Sequence, residues 1–148
     1  MDSFERTEKD KLIRGKKKKS VYFSTMCDVF QPSKQILETS FKIMKMLLEY
    51  SFDIIILTKG FIPLNFIELF SKYPDKIKVQ IGLITLDNKI LNLLEPDAPY
   101  SEKRLENIIN LQKIGVYPTL RLDPMFPKIN SFKGTDSKED LELLFSDR

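Results

Sequence analysis

Histidine is absent from the 148-residue sequence, and cysteine occurs once, at Cys27. Without histidine the chain lacks the commonest general base and metal ligand, which excludes Ser-His-Asp sites, Cys-His sites and histidine-bound zinc. A single thiol excludes an internal disulfide and a cluster held by several cysteines of this chain, and it is typical of a reducing compartment. The residues alone leave three roles for Cys27: a metal ligand, a nucleophile or a small side chain at the end of a strand.

Long apolar runs are absent as well. No stretch approaches the roughly 20 apolar residues that span a bilayer, and the N-terminus does not read as a secretory signal. These absences predict a cytoplasmic protein with no membrane partner. The composition, with 42% hydrophobic and 30% charged residues, is that of a soluble globular chain long enough for one domain with a sizeable core.

Positive charge is concentrated at the N-terminus. Residues 1–20 carry eight Lys/Arg and four Asp/Glu, a net charge of +4, whereas the whole chain carries +3. The run RGKKKK could contact nucleic acid phosphates, but a solvated leader is the simpler interpretation, because a basic run alone has low specificity. We predict a basic leader over residues 1–20, a main domain over residues 21–130, and a tail with a short helix over residues 131–148.

Short apolar runs alternate with helical patterns along the middle of the chain. We predict strands at SVYFSTM, FDIIILTKG, KIKVQIGLITLD and VYPTLRLDP, which are rich in β-branched and aromatic residues. Helical spacing is clearest in PSKQILETSFKIMKMLLEY and in SEKRLENIINLQKIG, for which Ser101 is the predicted N-cap and Gly115 the C-cap. This alternation predicts an α/β fold with a parallel sheet, either half of an eight-stranded barrel or a small open sheet.

Charged residues follow the predicted strands. Reactive groups in parallel α/β folds lie at the carboxyl ends of the strands, so we expect Asp28, Lys59 and Asp87 at one rim. A carboxylate and an ammonium at adjacent strand ends would match a zwitterion such as an amino acid. Ordinary turn chemistry is the alternative for these residues. Arg104, early in a helix, is equally suited to covering apolar surface with its stem.

Five short strings occur in a fixed order, each at a predicted strand or helix boundary: TMCDVFQP, LTKG, ITLD, LEPDAPYSEKRLENIINLQKIG and LDPMFPKIN. Together, over residues 20–130, they resemble the radical SAM superfamily, and most closely the branch of spore photoproduct lyase and the related DNA repair photolyases. The resemblance implies a partial (β/α) barrel with parallel strands. It also implies a parent reaction in which a [4Fe–4S] cluster reductively cleaves S-adenosylmethionine (SAM) to a 5′-deoxyadenosyl radical. A link to DNA repair follows from analogy alone.

The resemblance also implies cofactor-binding residues. Cys27 replaces a hydroxyl residue of the family and, with Asp28, lies where the family holds the amino group of the methionine part of SAM. Lys59 matches the family's basic residue near the SAM carboxylate. Arg104 matches the arginine of the string that begins Glu95-Pro96. In this comparison Cys27 matches none of the cluster-binding cysteines and is a small residue lining the SAM rim.

Two departures from the family pattern affect the expected function. Gly82 stands where the family often has serine, which removes one hydroxyl contact. The CxxxCxxC triad, which in the family lies upstream of the matched segment, is missing, and one cysteine cannot hold a [4Fe–4S] cluster. We therefore expect the central fragment of a radical SAM enzyme that binds SAM weakly and holds no cluster by itself.

Three other interpretations are compatible with the sequence. The chain is alternatively an inactive remnant, or a module that pairs with a second chain carrying the cluster. The third interpretation, a small binder of anions or nucleotides, ranks last because no string resembles a Gly-rich phosphate loop.

Overall fold

The computed structural model describes residues 19–24 and 26–124. In this part of the chain four strands, β1 (Ser20–Phe23), β2 (Asp53–Thr58), β3 (Ile77–Gly82) and β4 (Thr119–Arg121), form one sheet. The helices are α1 (Lys34–Glu49), α2 (Leu64–Phe70), α3 (Asn88–Leu94) and α4 (Ser101–Lys113), with a 3₁₀ turn over Pro74–Lys76. Nearly all of the predicted leader and the whole predicted tail lie outside the described residues.

All four strands run parallel and lie side by side in chain order, β1-β2-β3-β4. Parallel neighbours need a crossover connection, and each connection here contains at least one helix. The prediction of an α/β fold with a parallel sheet is thus confirmed. Strands β1 and β4 form the two edges of the described sheet.

The main core lies on one face of the sheet, called here the covered face. Ile54 is paired with Ile77 and Ile56 with Val79, and paired residues of neighbouring strands point to the same face. These four side chains are buried together with residues from α1, α2 and α4, among them Met44, Leu48, Phe66, Phe70 and Leu111. The helices therefore pack on the face that these isoleucines and Val79 define.

The opposite face of the sheet, called here the open face, is formed by Tyr22, Ile55, Leu57, Lys78, Gln80 and Thr119. Strand register aligns these residues across the four strands, and each of them is exposed or half-buried. The Tyr22 hydroxyl donates a hydrogen bond to Gln80 Oε1 at 3.2 Å. The open face thus mixes apolar and polar side chains, and none of the six is fully buried.

The third strand is shorter than the sequence pattern predicts. The apolar run predicted to continue to Asp87 leaves the sheet after Gly82. Leu83 and Ile84 are instead buried with Leu91 of α3 in a second, smaller cluster. The continuous apolar run correctly predicted that Leu83 and Ile84 are buried. It did not show where the strand ends and the following loop begins.

The start of α4 also differs from the prediction. Tyr100 is the N-cap and Ser101 is the first helical residue. Ser101 donates both its N–H and its hydroxyl to Asn88 Oδ1 at 3.0 Å, so Asn88, from the start of α3, supplies the acceptor at this helix end. At the other end the C-cap is Ile114 and not the predicted Gly115. Gly115 follows it with a φ of +80°, the left-handed conformation that terminates helices. None of the described helices is long and apolar enough to cross a membrane.

Candidate functional site

The loops after β1, β2 and α3 enclose a cleft at the carboxyl edge of the sheet. Its volume is about 830 Å³, within the range of about 300–1,000 Å³ that is usual for small-molecule sites. Apolar side chains form much of its wall, including Phe30, Leu37, Phe61 and Leu94. Its charged lining residues are Asp28, Lys59, Glu95 and Asp97. The cleft therefore offers an apolar surface with a few charged groups.

Asp28 links the loop after β1 to the end of β2. Its Oδ1 accepts a hydrogen bond from Phe30 N at 2.9 Å, and its Oδ2 accepts from Lys59 N at 2.8 Å and Gly60 N at 3.1 Å. The Thr58 hydroxyl lies 2.9 Å from both oxygens. Four donors on one carboxylate give Asp28 a structural role at this rim. It does not cap α1, whose N-cap is Ser33.

Gly60 lets the two loops come together. A Cβ at this position would lie 3.0 Å from both the Cβ and the carbonyl oxygen of Phe30, tighter than most real Cβ contacts, so the Phe30 backbone would have to shift by a few tenths of an ångström. The amide of Asn107, a buried residue of α4, accepts from Ile62 N at 2.9 Å and donates to Gly60 O at 2.8 Å. The backbone after β2 is thus held by Asp28 on one side and by Asn107 on the other.

A chain of three charged side chains closes the cleft on the α3 side. Lys59 Nζ lies 2.6 Å from Glu95 Oε1, and Arg104 Nη1 lies 2.6 Å from Glu95 Oε2. The Arg104 side chain is 0% exposed, whereas that of Lys59 is 41% exposed. Arg104 also donates from Nε to Pro99 O and from Nη1 to Gly82 O, both at 2.8 Å. Arg104 therefore acts behind the cleft wall, and Lys59 faces the cleft.

Gly82 leaves space for the stem of Lys59. A Cβ at Gly82 would lie 3.0 Å from Lys59 Cγ and 3.4 Å from Cε. The serine that the family comparison leads one to expect here would require this flexible side chain to shift by a few tenths of an ångström.

The structure brings together some of the predicted site residues. Asp28 and Lys59 line one cleft, and Arg104 reaches it through Glu95. Cys27 is exposed and is not among the described residues that line the cleft. Asp87 is the N-cap of α3 and accepts a hydrogen bond from Lys89 N at 2.8 Å. This is the ordinary turn role that the sequence analysis gave as the alternative to ligand binding. Ligand binding by Cys27, Asp28, Lys59 and Arg104 stays a prediction.

Two contributions to the site were not anticipated from the sequence. Glu95 was noted only as the start of a string, yet it joins the two cations. Asn107 was not singled out at all, although a buried amide in a helix otherwise patterned for packing is a signal for a specific hydrogen bond. Among residues 19–24 and 26–124, no group of three or more His, Cys, Asp or Glu residues is placed to hold a metal ion.

Comparison with known proteins identifies relatives without a described activity. The chain is 30% identical over 131 residues to the uncharacterized protein ORF301 of Acidianus two-tailed virus, a match that covers 88% of this chain and 42% of the relative. It is 27% identical over 124 residues to the uncharacterized protein MJ0683 of Methanocaldococcus jannaschii, covering 82% and 44%. The chain thus spans less than half the length of these curated relatives. No protein-family model and no solved structure matches it.

Proposed function

We propose that this chain is the central segment of a radical SAM enzyme of the spore photoproduct lyase-like branch, and that its cleft binds a zwitterionic ligand of the SAM type. The observation that carries the proposal is the meeting of Asp28 and Lys59 at one cleft, from the ends of adjacent strands. The strand order β1-β2-β3-β4 supports a partial (β/α) barrel, because successive strands of a barrel also add beside one another.

Lys59 is the residue that contacts ligand in this proposal. An ammonium has three N–H donors. Glu95 Oε1 lies 2.6 Å from Nζ as its countercharge, and the side chain of Lys59 is 41% exposed, so donors remain available to a ligand carboxylate. Asp28 acts mainly by fixing the backbone at Lys59 and Gly60, because its oxygens already accept four donors. The aromatic and aliphatic walls suit the adenosine part of the ligand, since flat apolar surfaces favour stacking.

The [4Fe–4S] cluster of the parent family does not fit this chain's own residues. Such a cluster is held by several thiolates, and the sequence has one cysteine, which is exposed in the structure. In the proposal the cluster ligands come from a longer polypeptide or from a second chain. The part assigned to these residues is the binding and orientation of SAM; the substrate of the parent enzyme is left open.

Titration of SAM into the isotopically labelled protein, followed by NMR, tests the site. We expect shifts confined to the loops after β1 and β2, with a dissociation constant in the millimolar range, equivalent to about −4 kcal/mol. Lys59→Met should abolish these shifts, whereas Lys45→Met, which removes an exposed lysine from α1, should leave them unchanged. Shifts elsewhere, or unaltered binding by Lys59→Met, would show that the SAM site inferred from the family resemblance is wrong.

Anaerobic reconstitution with iron and sulfide tests the assignment of the cluster to other residues. We expect the purified chain to remain free of a cluster by absorption spectroscopy and iron analysis. Roughly four irons per chain, the content of a cubane cluster, would contradict this assignment unless the chains associate and share thiolates.

A second candidate, a module that pairs with another chain, is favoured by the edges and the open face of the sheet. Strands β1 and β4 have one neighbour each among the described strands, and free edges pair readily with other strands. This candidate predicts concentration-dependent association in light scattering, weakened by Leu57→Lys on the open face but not by Leu93→Lys, at a residue of α3 that is 78% exposed. A monodisperse monomer with cooperative unfolding would count against it.

A further inference from the structure

Glu95 is a nearly buried carboxylate, with a side chain that is 7% exposed. It lies against the guanidinium of Arg104, which is completely buried and held by the carbonyls of Gly82 and Pro99. A buried cation without a countercharge is strongly unfavourable. Arg104 therefore fixes the position of Glu95 at the cleft wall.

The same carboxylate neutralises the cation that faces the cleft. Lys59 Nζ lies 2.6 Å from Glu95 Oε1. The ionisable lining residues are one lysine and three acids, Asp28, Glu95 and Asp97. A free anion that approaches Lys59 Nζ is therefore repelled by the Glu95 carboxylate, which already lies beside that nitrogen. The cleft lining has no excess of positive charge to offset this repulsion.

We propose that Glu95 is a specificity-determining residue. It is a carboxylate built into the protein that occupies the cation pair of Lys59 and Arg104, and it thereby excludes simple anions from the cleft. A ligand that carries its own ammonium beside a carboxylate is not excluded, because its positive charge offsets the repulsion from Glu95. The inference rests on the proposed function in one respect, that this cleft is the ligand site.

Titration of inorganic phosphate into the wild type, Glu95→Gln and Glu95→Asp, followed by NMR at the amides of Lys59, Gly60 and Gly82, tests this role. We expect no phosphate-dependent shifts there in the wild type and at least a roughly tenfold gain in phosphate affinity in both variants, because a vacated ammonium attracts anions. Glu38→Gln, which removes an exposed carboxylate from α1, is the matched control and should behave as the wild type.

The Glu95→Asp variant is included in case Glu95→Gln does not fold. It keeps a countercharge beside Arg104, but its side chain is one methylene too short to reach both cations. Phosphate binding at these amides in the wild type, or no gain in a folded variant, would overturn the role of Glu95. A parallel SAM titration separates the two proposals: failure of the wild type to bind SAM ends the proposed function, whereas the phosphate result alone decides the role of Glu95.

Discussion

The covered face and the open face of the sheet are built from the same strands but differ in what surrounds them. In β2 the alternate residues Ile54, Ile56 and Thr58 are at most 1% exposed, whereas Ile55 and Leu57, on the other side, are only half-buried. A continuous apolar run is typical of a strand that is buried on both faces. The sequence of β2 is therefore suited to more cover than the described residues provide.

The largest expected difference between the two faces is in packing. Phe66, on the covered side, is completely buried and contacts the rings of Phe30, Phe41 and Phe70 edge-on, with centroids 5.0 to 6.2 Å apart. Phe66→Ala should lower the free energy of unfolding by about 3–5 kcal/mol, because it removes buried surface and leaves a cavity. Urea denaturation followed by circular dichroism measures this loss.

Tyr22→Ala is the matched change on the open face. Tyr22 is 40% exposed, so its truncation should cost less than about 1 kcal/mol, as is usual for surface positions. An equal loss for Tyr22→Ala and Phe66→Ala would mean that the open face is covered in solution, and the contrast between the faces would disappear.

An intermediate effect is expected at the rim, where Asp28 holds the end of β2. Asp28→Asn keeps one carbonyl oxygen but turns an NH₂ group either toward Phe30 N or toward the backbone donors of Lys59 and Gly60. One or more of these donors then loses its acceptor, and we expect a loss of about 2 kcal/mol in the free energy of unfolding. Thermal unfolding in the absence of any ligand measures it.

Asp87→Asn provides the control for this rim position. Asp87 caps α3 through one bond to Lys89 N, and asparagine is as good an N-cap as aspartate. Its replacement should therefore leave stability nearly unchanged. If Asp28→Asn is equally silent in stability but loses SAM binding, Asp28 acts on the ligand and not on the backbone.

The sequence was sufficient to predict an α/β fold with a parallel sheet because the relevant signals are local. Alternating strand and helix patterns predicted the order of the elements, and the parallel sheet then placed Asp28 and Lys59 at one rim. The charged network was harder to foresee, since Glu95 meets Lys59 from 36 positions away, and only the fold brings the two together. The same holds for Asn88, whose side chain supplies the acceptor for Ser101 across 13 positions.

The smallest expected effect concerns Glu102, an exposed residue in the first turn of α4. Hydrogen bonding to its own backbone N–H, and then the Asn88 amide at 2.8 Å, holds the pKa of its carboxyl below the ordinary value. A lowered folded-state pKa means that the stabilisation is present above the unfolded pKa and is lost as the pH falls through the folded value. Glu102→Gln should therefore unfold at a slightly lower temperature than the wild type near neutral pH, and its unfolding temperature should fall less when the pH is lowered.

Glu106→Gln, in the same helix, is the control for the loss of one surface charge. It removes an exposed carboxylate that is paired with Lys103 at 2.8 Å. We expect a smaller shift for Glu102→Gln than for Asp28→Asn, because solvent screening keeps an exposed contact weak. Equal shifts would show that the exposed hydrogen bonds of Glu102 matter as much as the partly buried hydrogen bonds of Asp28 at the rim.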